Sequence, residues 1–329
     1  MAMTSNHKSL SFRFVLTGLA AIALALSGCA ATGPNGTALR YANPDYNHMR
    51  DLPQNQSPAG LLKQPPTPEL TEISADEHEA SGDAMLKRGN YPFAFLQYRK
   101  ALTQKPGNLR VEYKVGLTYL MAGKLDDAVA QFDMVLNQSP ENAAALEGLG
   151  RVYLQKRDYP AAEAYFIRAV ARDPRLWEAH NFLGYIYDIR SEHEKAIAHY
   201  RSALAVKPDW GMVHNNLGVS YSLSGRMTEA VAAFKAALAY RYNRPKVYNN
   251  LGLAFANLKQ YRQALEAFKK AGKASMAYNN LGSVYFRDGK YDEAVRCFET
   301  AIKIDPRFNA RLRQNLELAL MHQKRAAQP

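Results

Sequence analysis

Seven glycines, Gly82, Gly116, Gly150, Gly184, Gly218, Gly252 and Gly282, recur every 34 residues with one shorter step of 30 before the last, so most of this chain is one unit copied seven times. Twelve residues after each glycine stands an alanine (Ala94, Ala128, Ala162, Ala196, Ala230, Ala264, Ala294), and four further on an aromatic ring (Tyr98, Phe132, Phe166, Tyr200, Phe234, Phe268, Phe298). The spacing predicts two antiparallel helices per unit. Glycine and the ring or Met three residues beyond it (Met85, Tyr119, Tyr153, Tyr187, Tyr221, Phe255, Tyr285) share one face of the first helix. The alanine and the later ring, four apart, share one face of the second. Small residues let the two helices approach closely, and the rings fill the remaining space. One such pair cannot bury its apolar stripe alone, so neighbours must stack, and stability becomes nearly a sum of nearest-neighbour terms. Pro106, Pro140, Pro174, Pro208 and Pro306, which lack a backbone N–H, close five of the units.

This pattern resembles the tetratricopeptide repeat over roughly residues 75–308. The resemblance implies an all-α, right-handed solenoid of about seven helix pairs, with first helices lining a concave face that holds a protein partner. Residues 309–329 are expected to form a capping helix and tail, with Leu312, Leu316, Leu318 and Leu320 covering the last apolar stripe from about Phe308 to Arg325. Two irregularities interrupt the period. Tyr242 stands where a proline is expected, with Arg244-Pro245 shortly after, and the sixth unit lacks four residues around Ala271-Gly272-Lys273-Ala274, so its second helix must end early. That shortening reads either as a neutral loop deletion or as a functional joint.

At the N-terminus, His7, Lys8 and Arg13 precede an apolar run from Phe14 to Leu26 that stops at Leu26-Ser27-Gly28-Cys29. The arrangement is that of a secretory signal, too short for the roughly 20 helical residues that span a bilayer. The Leu-Ser-Gly-Cys run resembles the bacterial lipobox. That resemblance implies cleavage after residue 28, acylation of Cys29 and, with Ala30 following, sorting to the periplasmic face of the outer membrane. Residues 29–74, with Gly33-Pro34-Asn35-Gly36 and Pro65-Pro66-Thr67-Pro68, lack any apolar period and read as a disordered tether. As a random coil it would reach ~35–40 Å. Cys297 is the one other cysteine, so a lipidated Cys29 leaves no disulfide within the chain.

The formal net charge is +12, and loss of residues 1–28, which hold Lys8 and Arg13 and no acid, leaves +10. The excess gathers between Arg226 and Lys273, where ten basic residues face only Glu229 and Glu266. Such a zone suits an acidic protein partner or anionic lipid, or reads as lysines solvated on outer helix faces; the export signal argues against nucleic acid. No catalytic constellation stands out. The histidines are scattered, His78, His180 and His214 fall at equivalent places in first helices, and His193 with His199 lacks the spacing and third ligand of a zinc site. The chain is therefore expected to be a non-enzyme with neither cofactor nor metal.

One polar set departs from the scaffold. Asn215-Asn216, Asn249-Asn250 and Asn279-Asn280 precede their glycines, and Asn181 joins them in the fourth unit. Asparagine is a mediocre helix former, so its repetition needs a reason. A carboxamide can donate to and accept from the backbone of an extended peptide whatever its side chains, and the set resembles the asparagine ladders of peptide-holding tetratricopeptide proteins. The competing reading is that these asparagines bond a neighbouring repeat and brace the stack. The chain departs from the two-carboxylate clamp of chaperone-binding repeats: Arg110 and Lys114 are present, but Asp76, Glu79 and Gly148 stand at the partner positions. His214-Asn215-Asn216-Leu217-Gly218-Val219-Ser220, Ser224-Gly225-Arg226, Asn249-Asn250-Leu251-Gly252 and Arg313-Gln314-Asn315-Leu316 together resemble the TadD lipoproteins of Flp (tight adherence) pilus assembly. That resemblance implies a scaffold for a pilus or secretion machine; an adaptor for peptidoglycan enzymes or polysaccharide export is the alternative.

Overall fold

The computed structural model describes residues 73–242, 244–307 and 310–328. The signal segment, Cys29, most of the tether and Phe308 lie outside the described residues. The described residues contain fifteen helices and no strand. They divide into two compact units, one ending at Pro208 and the other beginning at Asp209.

The first unit holds four helix pairs: α1 (Ala75–Lys87) with α2 (Tyr91–Gln104), α3 (Leu109–Met121) with α4 (Leu125–Gln138), α5 (Ala143–Gln155) with α6 (Tyr159–Arg172), and α7 (Trp177–Ile189) with α8 (His193–Val206). Ser74 opens α1 with a capping box to Glu77, and the side chains of Asn90, Asn108, Asn142 and Asp158 cap α2, α3, α5 and α6. Each satisfies an N–H that the helix cannot pair internally. The second unit holds α9 (Gly211–Leu223) with α10 (Met227–Ala239), α11 (Pro245–Asn257) with α12 (Tyr261–Ala271), α13 (Ala274–Arg287) with α14 (Tyr291–Ile304), and a closing helix α15 (Ala310–Ala326). The early end expected in the sixth repeat is α12, which spans 11 residues and stops before an extended Gly272.

The period glycines act by close approach. A Cβ on Gly252 would lie 2.5 Å from the Phe268 ring, and one on Gly150 would lie 2.6 Å from Phe166, so each ring seats directly on the backbone of its partner helix. All seven second-helix rings are fully buried, as are the alanines four residues before them. Each ring contributes about 1.5–3 kcal/mol relative to exposure. The turns between paired helices need a left-handed residue. Gly89, Gly123, Gly225 and Gly289 supply it without strain, whereas Arg157, Ser191 and Lys259 hold the same turn position with φ of 62°, 63° and 61°.

Within a unit the first helices of successive repeats touch one another, α3 with α5 and α9 with α11, more than the second helices do. First helices therefore line the inner side of each stack. The closing helix packs on α14 with Leu312 and Ala319 buried and Leu316 and Leu320 against the same cluster. Leu318, expected in that stripe, is exposed, because the helical turn puts Ala319 inward instead.

Candidate protein-interaction groove

In the second unit the asparagine pairs lie on the inner helices α9, α11 and α13, and most are deeply buried: Asn215 is 0% exposed, Asn216 1%, and Asn250, Asn279 and Asn280 8% each, with Asn249 half-buried. Asn280 Nδ2 lies 3.4 Å from Asn249 Oδ1, and Asn315 Nδ2 of α15 donates to Asn279 Oδ1 at 3.2 Å. Asparagine contacts thus link α11 to α13 and α13 to the closing helix. Asn315 belongs to this set although no glycine follows; the repeated Asn-Leu step at 216–217, 250–251, 280–281 and 315–316 is the sequence signal that marks it. Two amide atoms, Asn215 Oδ1 and Asn250 Nδ2, are buried without a hydrogen-bond partner among the described residues. Asn181 sits buried in α7, in the first unit.

The basic zone is partly neutralised where it stands. Arg226 pairs with Glu229, Lys269 with Glu266, and Lys259 with Asp288, which also accepts from the Tyr261 hydroxyl. Those bonds hold the Asp288 carboxyl below its ordinary range against the opposing effect of burial. In the first unit, Arg110 and Lys114 are likewise committed. Buried Glu79 accepts from Arg110 at 2.6 Å and from Lys114 at 2.7 Å, and Lys114 also reaches Asp83. Neither cation is thereby left as an unbalanced charge for a clamp.

The structure brings together two of the histidines that look scattered in the sequence. His180 of α7 faces His199 of α8, Nδ1 to Nδ1 at 3.1 Å, with Tyr187 stacked on the His199 ring, while His193 bonds buried Asp188. Their separation of 19 residues crosses from first to second helix of one repeat, a contact that linear spacing does not mark. Burial lowers both imidazoles, His199 to about 4. Among the described residues no group of three or more His, Cys, Asp or Glu gathers as metal ligands would, and no helix is long and apolar enough to cross a membrane. Burial pushes the Cys297 thiol up to about 11, away from thiolate chemistry.

A feature that the period did not announce lies at the turn end of the first unit. A cavity of about 340 Å³ opens where the C-terminal ends of α3, α5 and α7 meet the first residues of α2 and α6. Arg151, Arg157 and Gln155 line it together with Tyr91, Tyr159 and Tyr185, over Leu120, Met121 and Leu154. Arg151 stands 3.9 Å from Glu147, beyond hydrogen-bond range. Glu147 is buried, which pushes its carboxyl up to about 7 despite that arginine.

The family model of the tetratricopeptide repeat matches residues 113–174, 149–211, 213–244, 245–271 and 275–308. The chain belongs to the tetratricopeptide-repeat family, and its helix pairs form a scaffold for protein–protein interaction. The C-terminal part of a repeat protein from Cytophaga hutchinsonii superimposes with a TM-score of 0.54 at 17% identity, over 71% of this chain and 98% of that one, and shows the same fold. MamA is similar at 30% identity, with a TM-score of 0.42, over 49% of this chain and 94% of that one. Pseudomonas aeruginosa PilF is similar at 19% identity, with a TM-score of 0.47, over 63% and 95%. None of the curated protein sequences matches the chain.

Proposed function

We propose that this protein is a lipid-anchored scaffold at the periplasmic face of the outer membrane, which holds an extended segment of a partner on its inner helices and assists assembly of a pilus or secretion machine of the Flp type. The observation that carries the reading is the asparagine row of the second unit, in which Asn215 Oδ1 and Asn250 Nδ2 are buried with hydrogen-bonding capacity unspent. Buried polar atoms without partners cost about 1–3 kcal/mol each. A peptide backbone entering the groove offers the donor and acceptor they lack after a small side-chain rotation. The lipobox at Leu26-Ser27-Gly28-Cys29 supports the anchor, and the run of Asn-Leu-Gly motifs closing on Arg313-Gln314-Asn315-Leu316 supports the pilus setting. The contacts from Asn280 to Asn249 and from Asn315 to Asn279 favour a second reading, in which the row braces the stack.

The triple variant Asn216→Ala, Asn250→Ala, Asn280→Ala separates the two. A groove role predicts helicity and melting close to wild type, because alanine is the better helix former, with partner recovery from envelope extracts lost. A bracing role predicts earlier melting, with recovery falling only in step with the folded fraction. The anchor has its own readout: Cys29→Ala should leave a folded protein that no longer fractionates with membranes, and unchanged membrane association would overturn it.

A further inference from the structure

We infer that the exposed side of α2, in the first repeat, docks against an anionic lipid surface. For the surface that is met this rests on the proposed membrane setting; the face itself comes from α2 and the turn before it. Phe93 and Leu96, three residues apart and so on one side of the helix, are 56% and 46% exposed. Phe93 is the one exposed phenylalanine among the described residues. The repeat accounts for neither side chain. At the place of Phe93 the six later repeats carry Asp127, Ala161, Lys195, Glu229, Gln263 and Glu293, and at the place of Leu96 they carry alanine four times, then Glu266 and Arg296. Two adjacent large apolar side chains in water, where the period is otherwise small or polar, mark a face kept for something outside the array.

Charge decides what that something is. Between Asp83 and Glu112 the chain holds no acid, and Lys87, Arg88, Arg99 and Lys100 are all exposed there. Arg99 and Lys100 follow Leu96 by three and four residues and extend the same side of α2, while Lys87 and Arg88 end α1 and open the turn that leads to the Phe93 end. None of the four has an ion pair or side-chain hydrogen bond among the described residues. The acids of α1 and α3, the helices packed on α2, are already spent: Glu77 caps α1, Asp76 holds Lys105, Glu79 and Asp83 hold Lys114, and Glu112 accepts from Gln131. A basic helix side with aromatic and aliphatic residues among its cations settles into the headgroup boundary of an anionic leaflet, apolar side chains toward the acyl edge and cations against phosphate. A protein partner would have to bring a pocket for each exposed apolar side chain; a fluid surface need not. The contact ends at this repeat, because the next second helix, α4, exposes Asp126, Asp127 and Asp133, which an anionic surface repels. The surface is therefore met by the repeat into which residues 1–72 lead.

A tryptophan placed on the face reports its contact. The full chain with Phe93→Trp, in the Cys29→Ala background that removes any acyl chain, is mixed with vesicles of phosphatidylcholine holding about 30% phosphatidylglycerol, with bromine on the phosphatidylcholine acyl chains as quencher. The added tryptophan should lose fluorescence beyond whatever Trp177 and Trp210 lose without it, and should keep it on vesicles of phosphatidylcholine alone or in high salt. Adding Arg99→Gln and Lys100→Gln should weaken the affinity read from that quenching roughly tenfold or more, since each cation near such a leaflet contributes about fivefold. The circular-dichroism melt should stay at wild type, because both side chains are exposed. Leu96→Trp is the second reporter, should Phe93→Trp perturb folding. Contact at residue 93 is read separately from membrane fractionation, so the face and the Cys29 anchor can each fail alone. Quenching that persists without Arg99 and Lys100, or equal quenching on phosphatidylcholine alone, would overturn docking to an anionic surface. Absence of quenching on the anionic vesicles would overturn lipid docking outright and leave the face to a protein partner.

Discussion

Glu147 carries the largest electrostatic consequence of any single carboxylate in the first unit. It is buried on α5, its carboxyl sits near 7, and desolvation is the dominant cause, with Arg151 opposing and Glu178 reinforcing. The sign follows from linkage. The fold binds the proton more tightly than the unfolded chain does, so the stabilisation from neutral Glu147 is complete below its ordinary value of 4.5 and is lost as pH rises through about 7. Glu147→Gln, which keeps the neutral shape, should therefore raise the stability of the first unit by about 2–3 kcal/mol at pH 8 and leave it nearly unchanged at pH 4. Thermal melts of both proteins across that range check it. Equal melting temperatures at pH 8 would mean that Arg151 fully compensates the buried charge.

At the scale of the element, the unit of construction is a helix pair closed by a ring on a glycine. In α11 and α12 the added methyl of Gly252→Ala would meet the Phe268 ring at 2.5 Å, closer than real Cβ contacts come, and the ring is buried with nowhere to retreat. The helix-propensity gain of alanine, about 1 kcal/mol, opposes an overpacking cost of about 1–3 kcal/mol. Overpacking should win here, because the obstacle is a rigid ring and not the end of a flexible chain. Denaturant unfolding should show net destabilisation of up to about 2 kcal/mol. The double variant with Phe268→Leu should lose less than the sum of the two single changes, since smaller side chains relieve the clash. An additive cycle would show that the glycine is needed for some reason other than the ring.

For the whole molecule, stability is propagated by contact between neighbours, and an end must be closed. The closing helix α15 covers Val295, Phe298 and Ala301 of α14 with Leu312 and Ala319, and it also carries Asn315, the last member of the asparagine row. Ending the chain after Pro306 should uncover that face and remove the burial of about two large apolar side chains, roughly 3–6 kcal/mol. The second unit should then melt earlier and the protein should be less soluble. A shortened chain as soluble and as thermally stable as the full one would rule out α15 as a cap.

The repeat itself was legible in the sequence because a solenoid restates its packing problem at a fixed interval. The glycine, alanine and ring positions recur with the helical period, and the structure seats each ring on its glycine. The short α12 was equally readable, since a deletion of four residues has to come out of a helix or its loop. What linear spacing does not hold are the contacts that cross from one helix to another on a single repeat or between repeats. The His180–His199 pair is of this kind, as are the inward turn of Ala319 in place of Leu318 and the junction of Asn279 with Asn315. The cavity bounded by Arg151 and Arg157 is another, because its walls come from five helices and the turn before α6, spread between residues 91 and 185. A periodic pattern specifies which faces are apolar; only the angle and depth at which neighbouring helices settle decide which polar side chains converge.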